Sequence, residues 1–178
     1  MKSTSKHLLL LAFATFFLSL NVLSQDRDTI SHVFNDSLLC LEINGKITNI
    51  NNAENNRYKA VLIHYNTPVD SSIVKGNKSF RFRLVKDAYY AIKIYKEGYA
   101  PKLISINTHI PKENLDDEAY RLDIKTELIP ENEYNSLNEE AKDFPIAIVM
   151  YIKSKNGFSH NEKYTYNIKK TLYAKNNP

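Results

Sequence analysis

The sequence predicts a mainly β protein, a two-sheet sandwich followed by a C-terminal extension. Polar and apolar residues alternate through most of residues 38–129, and side chains of a β-strand point to opposite faces with a period of two. Residues typical of turns interrupt this alternation about every ten residues, as in β-sandwiches. Residues 160–175 instead follow a helical period. Together these observations predict seven strands in two facing sheets, and not an alternation of strands and helices.

The clearest pair of strands lies in residues 87–106, DAYYAIKIYKEGYAPKLISI. Gly98 follows Lys96-Glu97 and is expected to take the positive φ of a tight turn. Beyond the turn, Ile104 and Ile106 resume the alternation. In the first strand, Tyr90, Ile92 and Ile94 lie on one face, and Tyr89, Ala91, Lys93 and Tyr95 lie on the other.

Five other segments are predicted to be strands. One of them has the cleanest alternation, with Phe80, Phe82 and Leu84 directed inward and arginines between them. Another is expected to end at Thr67-Pro68, because proline cannot donate to a β-ladder. The five predicted strands are residues 39–48, 59–66, 69–74, 78–84 and 120–129.

Three short motifs carry a resemblance to a known family: residues 42–47 (EINGKI), 79–82 (SFRF) and 90–99 (YAIKIYKEGY). Together they resemble the carboxypeptidase regulatory-like domains of exported bacterial proteins. The resemblance implies a transthyretin-like (prealbumin-like) fold, which is a seven-stranded Greek-key sandwich, and a non-enzymatic role beside receptors or peptidases. Residues 49–56 depart from the family pattern, since an Asn-rich loop replaces a Gly-Pro-Leu-Pro-Gly type of loop.

Residues 1–24 are predicted to be a signal peptide, and residues 25–37 a polar tether. Two lysines precede an apolar run at residues 8–20, and small or permissive side chains precede Gln25. The run is shorter than the about 20 residues of a membrane-spanning helix, so we expect cleavage to leave no transmembrane span; an uncleaved anchor is the alternative. Asp28-Thr29-Ile30 and Asp36-Ser37-Leu38 match the three-residue O-glycosylation acceptors of some bacterial periplasmic proteins.

The charge balance argues against a nucleic-acid partner. The chain carries a net charge of +4, and removal of Lys2 and Lys6 with the signal peptide lowers its 24 basic side chains to 22, against 20 acidic ones. Its single cysteine, Cys40, excludes an intramolecular disulfide. The leucines on both sides of Cys40 predict a buried small residue rather than a reactive thiol.

A C-terminal extension is predicted over residues 130–178. Its apolar run at residues 144–152 predicts a strand buried on both faces or covered by the final helix. That helix is predicted near residues 160–175, with an apolar stripe at every fourth position from Tyr164 to Leu172 and lysines elsewhere, which we expect to be solvated. Two capping boxes are expected, Ser136 with Glu139 and Ser159 with Glu162.

No residues have the spacing of a catalytic, cofactor or metal site. The histidines lie far apart and form no HxH or HExxH motif, and a glycine-rich phosphate loop is absent. The candidate ligand-facing aromatics are Tyr89, Tyr95 and Tyr99, as a platform for a glycan or a peptide. Two other interpretations stay open, because tyrosine also suits half-buried strands and because an edge strand can bind a partner by β-augmentation.

We therefore expect a non-enzymatic accessory or interaction module of the cell envelope, periplasmic or secreted, without a cofactor. Its expected partner is an envelope protein or a glycan. This role is implied by the resemblance, whereas the residues themselves indicate only the fold and export. A surface carbohydrate-binding or adhesive module that uses the tyrosines is the alternative, and a hydrolase with a scattered site is a third hypothesis.

Overall fold

The computed structural model describes residues 38–50, 56–114 and 119–174. Within these ranges the chain is mainly β, with nine strands in two sheets and one C-terminal helix after a short helical segment. The predicted sandwich is confirmed at this level. The elements are β1 (Leu39–Ile47), β2 (Arg57–His64), β3 (Thr67–Lys75), β4 (Ser79–Val85), β5 (Tyr89–Lys96), β6 (Tyr99–Asn107), β7 (Tyr120–Thr126), α1 (Glu131–Tyr134), β8 (Ala147–Ile152), β9 (Gly157–His160) and α2 (Glu162–Leu172).

The two sheets differ in size. Strands β4, β1 and β7 form a three-stranded sheet, and the other six strands follow the order β3-β2-β5-β6-β8-β9. Strand β1 pairs with β7 in parallel, as β6 does with β8, while the remaining pairs are antiparallel. The predicted C-terminal extension thus contributes two strands to the larger sheet.

One core lies between the sheets. Phe80 of β4, Ile92 of β5 and Ile104 of β6 belong to the same buried cluster, so the period-two alternation does fold these segments face to face. Burying such a side chain contributes about 1.5–3 kcal/mol. Other inward residues of this cluster are Leu41, Ile43, Ile47, Tyr58, Ala60, Leu62, Phe82, Leu84, Tyr90, Ile94 and Ile106.

Gly45 allows the closest approach within this core. It pairs with Phe80 across β1 and β4, and a Cβ atom at residue 45 would lie 1.9 Å from Cζ of that ring. The ring of Phe80 is itself held edge-on to Tyr58 and lies 5.3 Å from the Phe82 centroid. Gly45 is therefore required because the aromatic ring occupies the space of a side chain.

The prediction of a turn at Gly98 is confirmed, and the prediction that a strand ends at Thr67-Pro68 is wrong. Gly98 has a φ of +75°. Thr67 and Pro68 already belong to β3, and the chain turns at Tyr65 and Asn66, whose φ values of 47° and 60° are the combination of a type I′ hairpin turn. Proline is tolerated in β3 because this strand is the edge of its sheet.

The apolar run at residues 144–152 forms a strand only from Ala147. Pro145 lacks the N–H group that a ladder needs, and the first bond to β6 is donated by the Ile146 amide to the Leu103 carbonyl at 2.9 Å. Strand β9 was not expected from the sequence. It pairs with β8 and brings Phe158 opposite Tyr151, where both rings pack edge-on against Tyr120.

Both capping boxes are wrong. Helix α2 is capped by Asn161, whose Oδ1 accepts from the Tyr164 amide at 3.0 Å, because pairing with β8 keeps Ser159 in strand β9. The turn at residues 139–141 is capped by Asn138, whose Oδ1 accepts from the Glu140 amide at 2.9 Å. Asparagine fills the same role as serine, since either side-chain oxygen accepts from the first free amides of a helix.

Helix α2 lies against β8 through its predicted apolar stripe. Leu172 is buried, while Tyr164 and Ile168 are half-buried. The Tyr164 hydroxyl donates to the Pro145 carbonyl at 2.8 Å, and the Asn138 amide donates to the Leu172 carbonyl at 3.1 Å. These contacts fix the helix beside the end of the sandwich where β8 begins.

Several predictions fall on residues outside the described ranges. They are the signal peptide at residues 1–24, the tether at residues 25–37 and the tripeptides that begin at Asp28 and Asp36. Of the second tripeptide, only Leu38 belongs to the described residues. In the part of the chain that the structure covers, no helix combines the length and hydropathy needed to cross a membrane.

Candidate functional site

The three predicted tyrosines do not form a single platform. Tyr89 and Tyr95 both point outward from β5, with exposed fractions of 64% and 38%. They stand six residues apart, or about 20 Å along the strand at about 3.3 Å per residue. Tyr99, at the start of β6, lies near Tyr95 and is half-buried. The structure thus brings Tyr95 and Tyr99 together and leaves Tyr89 apart.

Tyr95 and Tyr99 line a shallow surface groove, which we call the tyrosine groove. Ile73 of the edge strand β3 also lines it and is 68% exposed. Lys93 Nζ lies 5.3 Å from the Tyr95 ring centroid, and Lys96 Nζ lies 5.2 Å from that of Tyr99. Each ring therefore has an ammonium group over it, at the distance of a cation–π contact.

A second candidate site, which the sequence reasoning missed, is built around Lys102. This residue pairs with Ile94 across β5 and β6, and Ile94 is fully buried, so the Lys102 side chain also points into the sandwich. Its Nζ donates to Thr126 Oγ1 at 2.9 Å and to the Glu127 carbonyl oxygen. A strand residue that sequence patterning would treat as polar surface is in fact an inward-facing cation.

The pKa of Lys102 is lowered to about 8, mainly by burial and also by the nearby Lys169, while Glu127 acts in the opposite direction. Burial makes the largest contribution to the lowered pKa because the charged form loses water that the apolar core does not replace. Among the described residues, no ion pair involves Lys102, Lys125 or Lys169. The Lys102 ammonium is thus held by neutral acceptors and next to another cation.

The pocket around Lys102 has a volume of about 270 Å³ and is bounded by β7, by the inward faces of β6 and β8, and by helix α2. We call it the cationic cleft. Lys102, Lys125 and Lys169 contribute its cationic side chains, and Asp123 its carboxylate. A neighbouring pocket of about 590 Å³ shares the three lysines and adds Glu127 and Glu133. The aliphatic wall of the cationic cleft consists of Ile104, Leu122, Ile124, Ile146, Ala147 and Val149.

This arrangement is suited to holding an anion. The hydrogen-bond acceptors of Lys102 are a hydroxyl and a carbonyl oxygen, neither of which takes up a proton at neutral pH. General acid–base chemistry needs a proton acceptor with a pKa near the working pH. The cleft therefore offers positive charge beside an apolar wall, and His160 also belongs to its lining.

Cys40 is not placed for nucleophilic chemistry. It is 6% exposed, as predicted from its leucine neighbours, and its thiol contacts the Thr108 carbonyl oxygen at 4.0 Å. The pKa of the thiol is raised to about 12, mainly by burial and also by the charge of Asp87. Since the thiolate is the nucleophile, such a thiol is inert at neutral pH.

The histidines do not assemble a site with it. His109 Nδ1 lies 2.8 Å from Asp87 Oδ1, and both side chains are exposed to solvent. His64 instead stacks on Tyr90, with ring centroids 4.7 Å apart. In residues 38–50, 56–114 and 119–174, no three side chains of His, Cys, Asp or Glu converge as metal ligands.

A scan against protein-family models, a search of curated proteins and a search of solved structures found no match to this chain. The resemblance to carboxypeptidase regulatory-like domains thus stays a prediction.

Proposed function

We propose that this protein is an exported, non-enzymatic interaction module of the cell envelope, similar to carboxypeptidase regulatory-like domains. The tyrosine groove carries the proposal, since Tyr95, Tyr99 and the exposed Ile73 lie together on the outward face of paired strands. Tyrosine is enriched at protein interfaces because it combines a large apolar ring with a polar end and little conformational freedom. Rigid strands hold these side chains in place for a partner.

The charges around the tyrosine groove favour a protein partner with an acidic surface. Arg57, Lys59 and Lys96 line the groove together with one acidic residue, Glu97. Complementary charges steer association and select the partner more than they add affinity. An acidic rim on the partner would pair with these cations while its apolar centre covers Tyr95 and Ile73.

The proposed transthyretin-like core is supported by how the first seven strands divide. Three of them, β4, β1 and β7, form the smaller sheet, and β3, β2, β5 and β6 form four adjacent strands of the larger one. Strands β8 and β9 then extend the larger sheet from β6. A seven-stranded Greek-key sandwich with a C-terminal addition accounts for this division.

Site-specific photocrosslinking in intact source cells tests the proposal. A photoreactive residue at Tyr95 is expected to give a discrete protein adduct, and the same residue at Tyr89 is the matched control, because both are exposed tyrosines on one strand. Reversing the groove charge with Lys59→Glu and Lys96→Glu should abolish the adduct. Equal adducts at both positions, or none at Tyr95, would refute the role of the groove.

Export is tested on the same cells. We expect the mature chain in the periplasmic or extracellular fraction, beginning at Gln25, since small or permissive side chains precede that residue. A chain retaining residues 1–24 would instead support the uncleaved anchor.

A surface carbohydrate-binding or adhesive module is the second candidate, favoured by the exposure of the Tyr95 ring. Sugars stack on open aromatic faces, whereas here ammonium groups stand over Tyr95 and Tyr99. Affinity electrophoresis in gels containing polysaccharide separates the two candidates. Retardation that is lost in Tyr95→Ala and kept in Tyr89→Ala would favour the glycan over the protein partner.

A further inference from the structure

We propose that the cationic cleft binds a small aliphatic carboxylate, with its charged head at Lys102 and Lys169 and its tail against the aliphatic wall. This site is distinct from the tyrosine groove and does not rest on the function proposed for that groove. The two pockets share no lining residue.

The head position follows from the hydrogen bonds that Lys102 does not make. An ammonium group has three donors, and the described contacts of Lys102 use two of them, to Thr126 and Glu127. A charge taken out of water is costly unless it is paired with an opposite charge and hydrogen-bonded. A bound carboxylate would supply both the third acceptor and a directly paired negative charge.

Three carboxylates lie in the cleft or in the pocket beside it. Asp123 accepts a hydrogen bond from Asn44 Nδ2 at 3.3 Å on the exposed side of the small sheet. Glu127 and Glu133 line the neighbouring pocket, where they face the same three lysines. Counted once over both pockets, three lysines meet three carboxylates, so the positive charge that an anion would find is the local one at Lys102 and Lys169.

The tail position follows from the composition of the wall. Its apolar members are all aliphatic, which suits a flexible acyl chain more than a planar aromatic ring. Leu122 and Ile124 face inward from β7 yet stay half-buried, because the cleft opens beside them. Ile104 and Val149 form the closed end, where both are buried. A volume of about 270 Å³ lies just below the roughly 300–1,000 Å³ of drug-sized ligand sites, so the ligand is small.

Isothermal titration of the mature chain with octanoate at pH 7 and low salt tests the inference. We expect saturable binding at one site, and binding at least about tenfold weaker for acetate, which lacks the tail, and for 1-octanol, which lacks the charge. Inorganic phosphate serves as the purely anionic probe and is expected to bind as weakly as acetate. Octanoate that does not bind, or that is matched by phosphate or by 1-octanol, would overturn the proposal.

Two lysines on adjacent positions of α2 provide matched variants. Both lysines are exposed, but Lys169 lines the cleft and Lys170 is not part of its lining. Lys169→Gln should weaken octanoate binding about three- to tenfold and Lys170→Gln less than about twofold, while Lys102→Met should weaken it at least about tenfold. Equal effects of the two helix variants would contradict the placement of the head group, even if Lys102→Met failed to fold.

The same chemistry occurs in free fatty acids and at the C-terminus of a peptide that ends in leucine. A parallel titration with N-acetyl-leucine separates these sources. Tighter binding of octanoate assigns the free acid, and tighter binding of N-acetyl-leucine assigns a chain terminus. Tyr95→Ala should leave both titrations unchanged, so a failure of the tyrosine groove and a failure of the cationic cleft are told apart.

Discussion

Gly45→Ala should destabilise the fold more than a substitution to alanine at a strand or surface position where the methyl group has space. The added methyl would stand 1.9 Å from Phe80 Cζ and 2.4 Å from both Cε atoms. The ring has no free direction of retreat, since it is 1% exposed and packs against Tyr58 and Phe82. Overpacking of a core costs about 1–3 kcal/mol, and with aromatic neighbours on the ring we expect the upper end, about 3 kcal/mol.

Urea unfolding followed by far-ultraviolet circular dichroism measures this loss. If only stability changes, the midpoint urea concentration falls while the dependence of the unfolding free energy on urea concentration stays the same. Gly157→Ala is the matched control. A Cβ there would meet its nearest atoms, the Lys155 carbonyl oxygen and Tyr120 Cδ1, at 3.7 and 3.8 Å, which is ordinary contact. We expect this control to cost less than about 1 kcal/mol.

A double-mutant cycle identifies the ring as the cause. Phe80→Leu alone should be destabilising because it leaves a cavity, but in the background of Gly45→Ala the new methyl occupies part of that space. The double variant should therefore lose at least about 1 kcal/mol less than the sum of the two single variants. Additive losses, or a Gly45→Ala variant within about 0.5 kcal/mol of the parent, would refute the reasoning.

Three other predictions concern single groups. Lys102→Met should raise the free energy of unfolding, measured in urea, by about 1–3 kcal/mol at pH 7. The folded pKa of Lys102, about 8, is below the unfolded value of 10.5, so the parent protein gains stability as the pH rises from 8 to 10.5. The difference between the variant and the parent should therefore shrink by pH 10. Cys40 should react with Ellman's reagent at least about 100-fold more slowly in the folded chain than in urea, since its pKa is raised to about 12; comparable rates would contradict its burial. Asn161→Ala should cost about 1 kcal/mol of stability in thermal or urea unfolding, and Ser159→Ala less than about 0.5 kcal/mol. A larger loss for Ser159→Ala than for Asn161→Ala would instead support Ser159 as the N-cap.

The alternation of residues predicted the strands and their inward faces because burial in a sandwich is encoded locally, one residue in two. Phe80, Ile92 and Ile104 could be placed on inward faces without knowledge of their partners, and they meet in one core. Gly98 was equally readable, since few residues accept a φ of +75°.

What the sequence did not predict depends on pairing between distant segments. Ser159 followed by Glu162 fits a capping box, but strand β9 pairs with β8 and moves the start of the helix to Asn161. β9 spans only four residues, which is too short for an alternation to be recognised. Pro68 fits a strand end, yet an edge strand tolerates it. In each case a tertiary pairing overrides a local signal of moderate strength.

For Lys102, the alternation of residues alone predicts an inward side chain. Ile104 and Ile106 face inward, and a period of two places Lys102 on the same face. Hydrophobicity alone would place it in solvent, because a buried lysine costs free energy and is rarely expected. That cost is not offset within the described residues by any ion pair. A methionine would fill the space with a lower free energy of folding, so the lysine adds to what the cleft can bind and not to the stability of the sandwich.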